Sequence, residues 1–328
     1  MPVLLSEKDV RAVLSMDDLI GAMEGALEQF SAGGVRQPLR TIMDVGEHAF
    51  YGVMPAFMTQ PAALGTKLVS VYHSNAALGL PSHLATIVLL DPETGALQAV
   101  MDGRYITEAR TAAVSAASAK HLARTDARVL AVLGSGVQAR SHIDALARVR
   151  PIAEIRVWGR NPERVRTLLR ELNDAPPHGD TRIGAAASPE AAAEGADIIA
   201  LVTASREPVL ARAAVADGTH ICAVGACRPD QREMDTALVR DARIFVDSRA
   251  GALAEAGDIV IPIKEGAFDA SHLAGELGDL FGGRIPGRRD DAEITIFKSL
   301  GMAVEDVAAA RLAFERASAR GLGRGFVL

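Results

Sequence analysis

Val129-Leu-Ala-Val-Leu-Gly134-Ser-Gly136-Val-Gln-Ala139-Arg140 is the stretch that decides the fold of this chain. A short apolar run reads as a buried parallel strand, and it leads through Gly-x-Gly-x-x-Ala into a helical segment at 140–149. Gly134 suits a tight turn, Gly136 lets a diphosphate approach the backbone, and Ala139 lets the helix pack close to the strand. The N–H groups at the start of such a helix, with its positive dipole end, can hold the diphosphate. Gly134, Ser135, Gly136, Val137, Gln138 and Ala139 are therefore the expected cofactor contacts. A glycine pair alone marks many ordinary turns. The second strand-like run at 155–158 follows at βαβ distance and makes this one a dinucleotide site.

The end of that second run bears on which dinucleotide. An NAD site usually has Asp or Glu there for the ribose hydroxyls, whereas an NADP site has an arginine nearby for the 2′-phosphate. Here the sequence reads Trp158-Gly-Arg160-Asn-Pro-Glu163-Arg164, with no acid at the strand tip. Glu163 reads as a first-turn helix acid. Arg160 reads either as a solvated loop residue or as a 2′-phosphate partner, and its place favours NADP(H), with NAD(H) as the other possibility.

From 129 onward the apolar runs 129–133, 155–158, 197–202, 221–224 and 244–246 alternate with helical stretches, the rhythm of a doubly wound α/β sheet. Pro176-Pro-His-Gly179 reads as a loop, and the run 294–297 leads into a last helix at about 300–320. The first 120 residues have another rhythm. Ser6 and Ser15 read as helix N-caps, and Gly33-Gly34 as a helix stop. Strand-like runs at 41–45, 50–54, 65–72, 85–90 and 96–100 follow, separated by turns such as Asp91-Pro-Glu-Thr-Gly95. They predict an antiparallel sheet preceded by helices, then an Ala-rich helix at 107–123.

Composition excludes several function classes. The 328 residues are 49% hydrophobic, 23% charged and 4% aromatic, with a formal charge of −6. This is a globular composition with no basic excess to recruit nucleic acid or an acidic membrane. No apolar run is long enough to span a bilayer, and the N-terminus does not read as a secretory signal. Cys222 and Cys227 are too few for a disulfide framework and lack the company of zinc ligands, so no metal is expected and a cytoplasmic location is.

Eight segments together resemble the ornithine cyclodeaminase/mu-crystallin family. They are Gly52-Val-Met-Pro-Ala56, Thr66-Lys67-Leu-Val, Pro81-Ser-His83-Leu-Ala-Thr, Val100-Met-Asp-Gly103, Ile106-Thr-Glu-Ala-Arg110-Thr-Ala-Ala, Leu133-Gly-Ser-Gly-Val-Gln-Ala139, Val224-Gly-Ala-Cys-Arg-Pro-Asp230 and Ile296-Phe-Lys-Ser-Leu-Gly-Met-Ala-Val-Glu-Asp306. They keep family order over nearly the whole chain, and the pattern is most similar to the mu-crystallin branch of ketimine reductases. The resemblance implies a Rossmann-type nucleotide-binding domain at 121–305. It also implies a discontinuous α+β dimerisation and substrate domain, 1–120 completed by 306–328, and a homodimer.

The same resemblance implies a reductase of cyclic ketimines, such as 1-pyrroline-2-carboxylate or 1-piperideine-2-carboxylate, that forms L-amino acids. Such a site needs cations for the substrate carboxylate and a proton source for the imine nitrogen. Arg40 and Arg110 match family arginines, and a guanidinium suits a carboxylate. Lys67 matches the family lysine and can transfer a proton once a pocket lowers its pKa. Thr111 matches a residue that approaches the cofactor phosphates. Each basic residue also has a plain reading as a salt-bridge partner, and His83 reads first as a structural histidine and second as a pocket residue. Thr203 follows a strand, where cofactor contacts gather. Asp247-Ser248 reads as a cap or a cofactor contact, and Ser299 as the N-cap of the last helix or a carboxamide contact.

Residue 227 departs from the cyclodeaminases and related alanine dehydrogenases, which carry Asp there as a base; this chain has Cys227. A thiol is a poor base near neutrality, so Cys227 reads as a packing residue and Arg228 as a further carboxylate ligand. Two other readings stand beside the reductase: an ornithine cyclodeaminase or amino-acid dehydrogenase, which Cys227 disfavours, and a non-enzymatic ligand-binding protein.

Overall fold

Val129–Leu133 is a strand buried on both faces, which is why its sequence is continuously apolar rather than alternating. Leu130 and Val132 point to one side, packing with Ile143 and Leu146 of the helix Val137–Val149. Ala131 and Leu133 point to the other, among Ile199, Leu201, Ile221 and Ile296. The computed structural model describes residues 1–46, 49–177 and 179–327, so His178 of the expected 176–179 loop lies outside the described residues.

The chain divides into two units: Met1–Thr111 with Gly301–Leu328, and Ala112–Leu300. These divisions fall within the helix Arg104–Leu122 and just after the strand Thr295–Lys298, somewhat before positions 120 and 305.

The second unit carries an eight-stranded sheet in the order Arg182–Ala185, Glu154–Trp158, Val129–Leu133, Ile198–Leu201, His220–Ala223, Thr295–Lys298, Arg243–Val246, Leu273–Glu276. Every pairing in it is parallel. Strand order reverses between Val129–Leu133 and Ile198–Leu201, and the crevice beyond the carboxyl ends at such a switch point is where α/β sheets bind ligands. Two outer strands, Arg182–Ala185 and Leu273–Glu276, are absent from the sequence expectation. They are four residues each, contain glycine and sit at or beside a sheet edge, so they carry little apolar signal.

The first unit holds another eight-stranded sheet, in the order Arg324–Gly325, Val3–Leu5, Leu97–Asp102, His83–Leu90, Ala62–Tyr72, Ala49–Thr59, Val35–Arg36, with Thr41–Gly46 also pairing with Ala49–Thr59. The expected antiparallel sheet needs a correction, because Val3–Leu5 pairs in parallel with Leu97–Asp102. That strand opens the chain ahead of the helices; three residues are too few to show a period. Ser6 and Ser15 do cap the helices Glu7–Val13 and Met16–Ser31. The helix Ala303–Ala319 packs on the strands Ala49–Thr59, Ala62–Tyr72 and His83–Leu90 and on Met16–Ser31. No helix among the described residues is long and apolar enough to cross a membrane.

Candidate active site

Ala62–Tyr72 alternates between buried and partly exposed residues, and the buried set includes Ala63, Lys67 and Val69. An apolar face thus carries a lysine that is 2% exposed. A buried ammonium is costly unless paired. The helix Ala303–Ala319 supplies the pair: Lys67 Nζ lies 2.5 Å from Asp306 Oδ2. Arg110, buried on the helix Arg104–Leu122, donates from Nε to Asp306 Oδ1 at 2.9 Å and from Nη1 to Glu305 Oε2 at 2.5 Å. Two cations and two carboxylates therefore share one buried cluster built wholly from the first unit.

Burial lowers the Lys67 pKa, the Asp306 charge opposes the fall and Arg110 adds to it, leaving Lys67 at about 8. Burial pushes the Asp306 carboxyl up, but Arg110 and Lys67 more than offset this and hold it below its ordinary value. His83 opens the strand His83–Leu90, on the same sheet face as Lys67, because Val71 pairs with His83 and Lys67 with Ile87. Burial, then the Lys67 and Arg110 charges, lower the His83 pKa to about 4. At neutral pH the same sheet face thus carries a protonated lysine and an uncharged imidazole. Environments that drive two groups apart in this way separate an acid from a non-acid.

The other expected residues are spread over both units. Arg40 precedes the strand Thr41–Gly46 and is half-buried. Thr111 Oγ1 donates to Thr107 O within its helix. Arg228, in the second unit, is exposed, and its backbone oxygen accepts from Gly257 N. Glu305 and Asp306 stood in a recognised segment without a role, since their partners lie 195 and 196 positions earlier in the chain. No local periodicity reveals such a pairing.

In the second unit the glycine turn fits a dinucleotide diphosphate. Gly134 has φ +137, and a Cβ there would stand 2.6 Å from Val202 O, so only glycine allows the strand to turn so close to its neighbour. A Cβ on Gly136 would meet open space, and Gly136 begins the helix Val137–Val149 with no side-chain cap on the first-turn N–H groups. Ala139 is fully buried, as close packing requires. The helix starts at Val137 rather than 140, which places Val137, Gln138 and Ala139 in its first turn. Arg160 is exposed just past Glu154–Trp158; Asn161 caps the next helix, and Glu163 is a first-turn acid paired with Arg166.

Three expectations resolve differently from one another. Ser299 is not a helix cap: it follows the strand Thr295–Lys298, its N–H donates to Ala223 O, and the last helix begins at Ala303 after Met302. Ser248 is the N-cap of the helix Arg249–Glu255, its Oγ accepting from Gly251 N, whereas Asp247 is not a cap: its Oδ2 accepts from Leu300 N at 2.6 Å. Cys227 packs against the core, its thiol donating to Val224 O at 3.2 Å.

The ornithine cyclodeaminase/mu-crystallin family matches residues 1–321. Ketimine reductase mu-crystallin of Mus musculus is 42% identical over 319 residues, covering 96% of this chain and 97% of the mouse protein. The structure of Thermococcus litoralis Delta(1)-pyrroline-2-carboxylate reductase in complex with NADH and L-proline is 40% identical, with a TM-score of 0.95 over 99% of this chain and 100% of that one. An archaeal alanine dehydrogenase dimer with bound NAD is 30% identical, with a TM-score of 0.93 over 100% of this chain and 99% of its own.

Proposed function

The chain belongs to the ornithine cyclodeaminase/mu-crystallin family, and from that premise we propose that it reduces cyclic imino acids with a nicotinamide cofactor. The observation that carries this reading is the buried Lys67–Asp306–Arg110–Glu305 cluster, which keeps a proton on a lysine whose pKa has been lowered to about 8. A group of that pKa is an efficient acid near neutral pH. The substrate is a ring C=N beside a carboxylate, 1-pyrroline-2-carboxylate or its six-membered analogue.

The cofactor, when bound, supplies a hydride to the imine carbon. Gly134 to Ala139 hold its diphosphate at the helix N-terminus, with Thr111, Thr203 and Ser299 as further contacts. Lys67 gives its ammonium proton to the imine nitrogen, so the C=N bond becomes CH–NH and the lysine regains a proton from solvent. Asp306 and Glu305 orient Arg110, which binds the substrate carboxylate; Arg40 and Arg228 supply further positive charge. His83, uncharged at neutral pH, shapes the pocket. Cys227 brings no carboxylate, which favours reduction over the cyclodeaminase or amino-acid dehydrogenase reading. The protein works as a homodimer in the cytoplasm, where its two free cysteines stay reduced.

NADPH is the preferred cofactor in this reading, because Arg160 stands where an NAD site places an acid. Arg160→Ala should weaken NADPH roughly tenfold, about 1.4 kcal/mol, and leave NADH nearly unchanged. Equal losses for the two cofactors, measured by titration, would remove Arg160 from the 2′-phosphate site. The function itself is tested by following NAD(P)H oxidation against cyclic imines, acyclic keto acids with amines, and L-ornithine with oxidised cofactor. Turnover of the cyclic imines is expected. Ammonia release from ornithine, with no imine reduction, would establish the cyclodeaminase reading instead.

A further inference from the structure

Glu233 is fully buried, yet it lies outside the cluster that handles the substrate. Its Oε1 accepts from Thr203 N and from Thr203 Oγ1, both at 2.7 Å. Its Oε2 accepts from Gly225 N at 2.7 Å and Ala226 N at 3.2 Å. Thr203 follows the strand Ile198–Leu201, and Gly225 and Ala226 follow His220–Ala223, its parallel neighbour. We infer that Glu233 is a positioning residue of the cofactor site, binding these two strand ends into one fixed wall beside the glycine turn. The inference rests on the nicotinamide cofactor of the proposed function.

Beyond the ends of parallel strands the sheet ladder gives way, and backbone amides need other acceptors. Glu233 supplies both its oxygens to them. Its own backbone is fixed in turn: Asp258 Oδ1 accepts from Glu233 N at 2.8 Å and Met234 N at 3.1 Å. Lys298, last residue of the next strand Thr295–Lys298, pairs with Asp258 Oδ2 at 3.0 Å. Three adjacent strand ends are thereby tied into one polar network. Gly225 belongs to the arrangement, since a Cβ there would stand 1.8 Å from Thr203 O and force the wall apart.

The wall also meets the turn that holds the diphosphate. Val202, directly before Thr203, places its carbonyl oxygen 2.6 Å and a side-chain methyl 2.7 Å from where a Gly134 Cβ would be. A shift of Thr203 therefore moves the surface against which the glycine turn is built. Burial raises the Glu233 carboxyl to about 7, with Lys298 opposing and Asp258 adding to the rise, so the ionised group depends on those hydrogen bonds.

Glu233→Gln keeps size and shape but offers one acceptor oxygen and an NH2 group. Whichever way the amide turns, NH2 faces backbone N–H donors at Thr203 or at Gly225 and Ala226. Cofactor dissociation constants of wild type and variant are to be compared by NADH and NADPH fluorescence titration, alongside steady-state kinetics and thermal unfolding. The variant is expected to bind cofactor at least tenfold more weakly, with imine KM and kcat at saturating cofactor within about threefold of wild type. A folded variant with wild-type cofactor affinity would overturn the inference, even with a lowered Tm. Should Glu233→Gln fail to fold, Glu233→Asp keeps the charge but falls one methylene short of the strand-end amides; weaker cofactor binding by at least threefold supports the inference and unchanged binding overturns it. A wild-type protein that binds neither cofactor would overturn the cofactor assignment, and this inference with it.

Discussion

Lys67→Met should lower kcat on the order of a hundredfold or more while the protein still binds NADPH. General acid catalysis by a positioned group is commonly worth ~10²–10⁴-fold, and methionine fills nearly the same buried volume without a proton to give. The pH dependence provides a second signature. Lys67 holds its proton below a pKa of about 8, so wild-type kcat/KM should be level on the acid side and fall as pH rises through that value. The variant's residual rate should lack that fall. His83, with its pKa lowered to about 4, is neutral throughout this range and cannot replace an ammonium. Full kcat in Lys67→Met from pH 6 to 9 would make the lysine structural and leave solvent as the source of the proton.

Asp306→Ala should be the most destabilising substitution in the cluster. Removing this carboxylate leaves Lys67 and Arg110 as buried like charges with Glu305 alone to offset them. Breaking a buried ion pair from one side costs about 3–5 kcal/mol, to be read as a lower urea midpoint. The sign of the pH dependence follows from the lowered pKa of Asp306. Its stabilisation is present above the unfolded value of 3.8 and is lost as pH falls through the lower folded value. Asp306→Asn, which keeps the shape, should also draw the Lys67 pKa further down, because Asp306 is the largest influence raising it. The alkaline fall in kcat/KM should then begin at lower pH. An unmoved fall in a folded Asp306→Asn protein would show that Asp306 does not govern the lysine's proton.

The strand Val129–Leu133 was legible to the residue, because a strand buried on both faces writes itself as an unbroken apolar run next to a glycine turn. Outer strands such as Arg182–Ala185 carry no such signature. Lys67 and Arg110 were visible only through the family motif; composition and periodicity give one lysine or arginine no distinction. The acids that hold them lay in sight at 305 and 306, within a helix whose buried alanines explain its sequence without any charge. Ser299 misleads for a local reason: a serine before an apolar stretch looks like a cap whether or not the backbone turns there, and the chain turns at Met302. Glu233 and Asp258 gave no sequence signal at all, because their partners are mainly backbone amides brought near by the sheet.

The central claim, reduction of a cyclic imine rather than deamination or passive binding, is tested most directly by stoichiometry. Purified protein is mixed with NADPH and 1-pyrroline-2-carboxylate, and cofactor, L-proline and ammonia are measured together. One L-proline formed for each NADPH oxidised, with no ammonia, is the predicted result. Tight cofactor binding without oxidation of NADPH or NADH by either ring size of imine would contradict it.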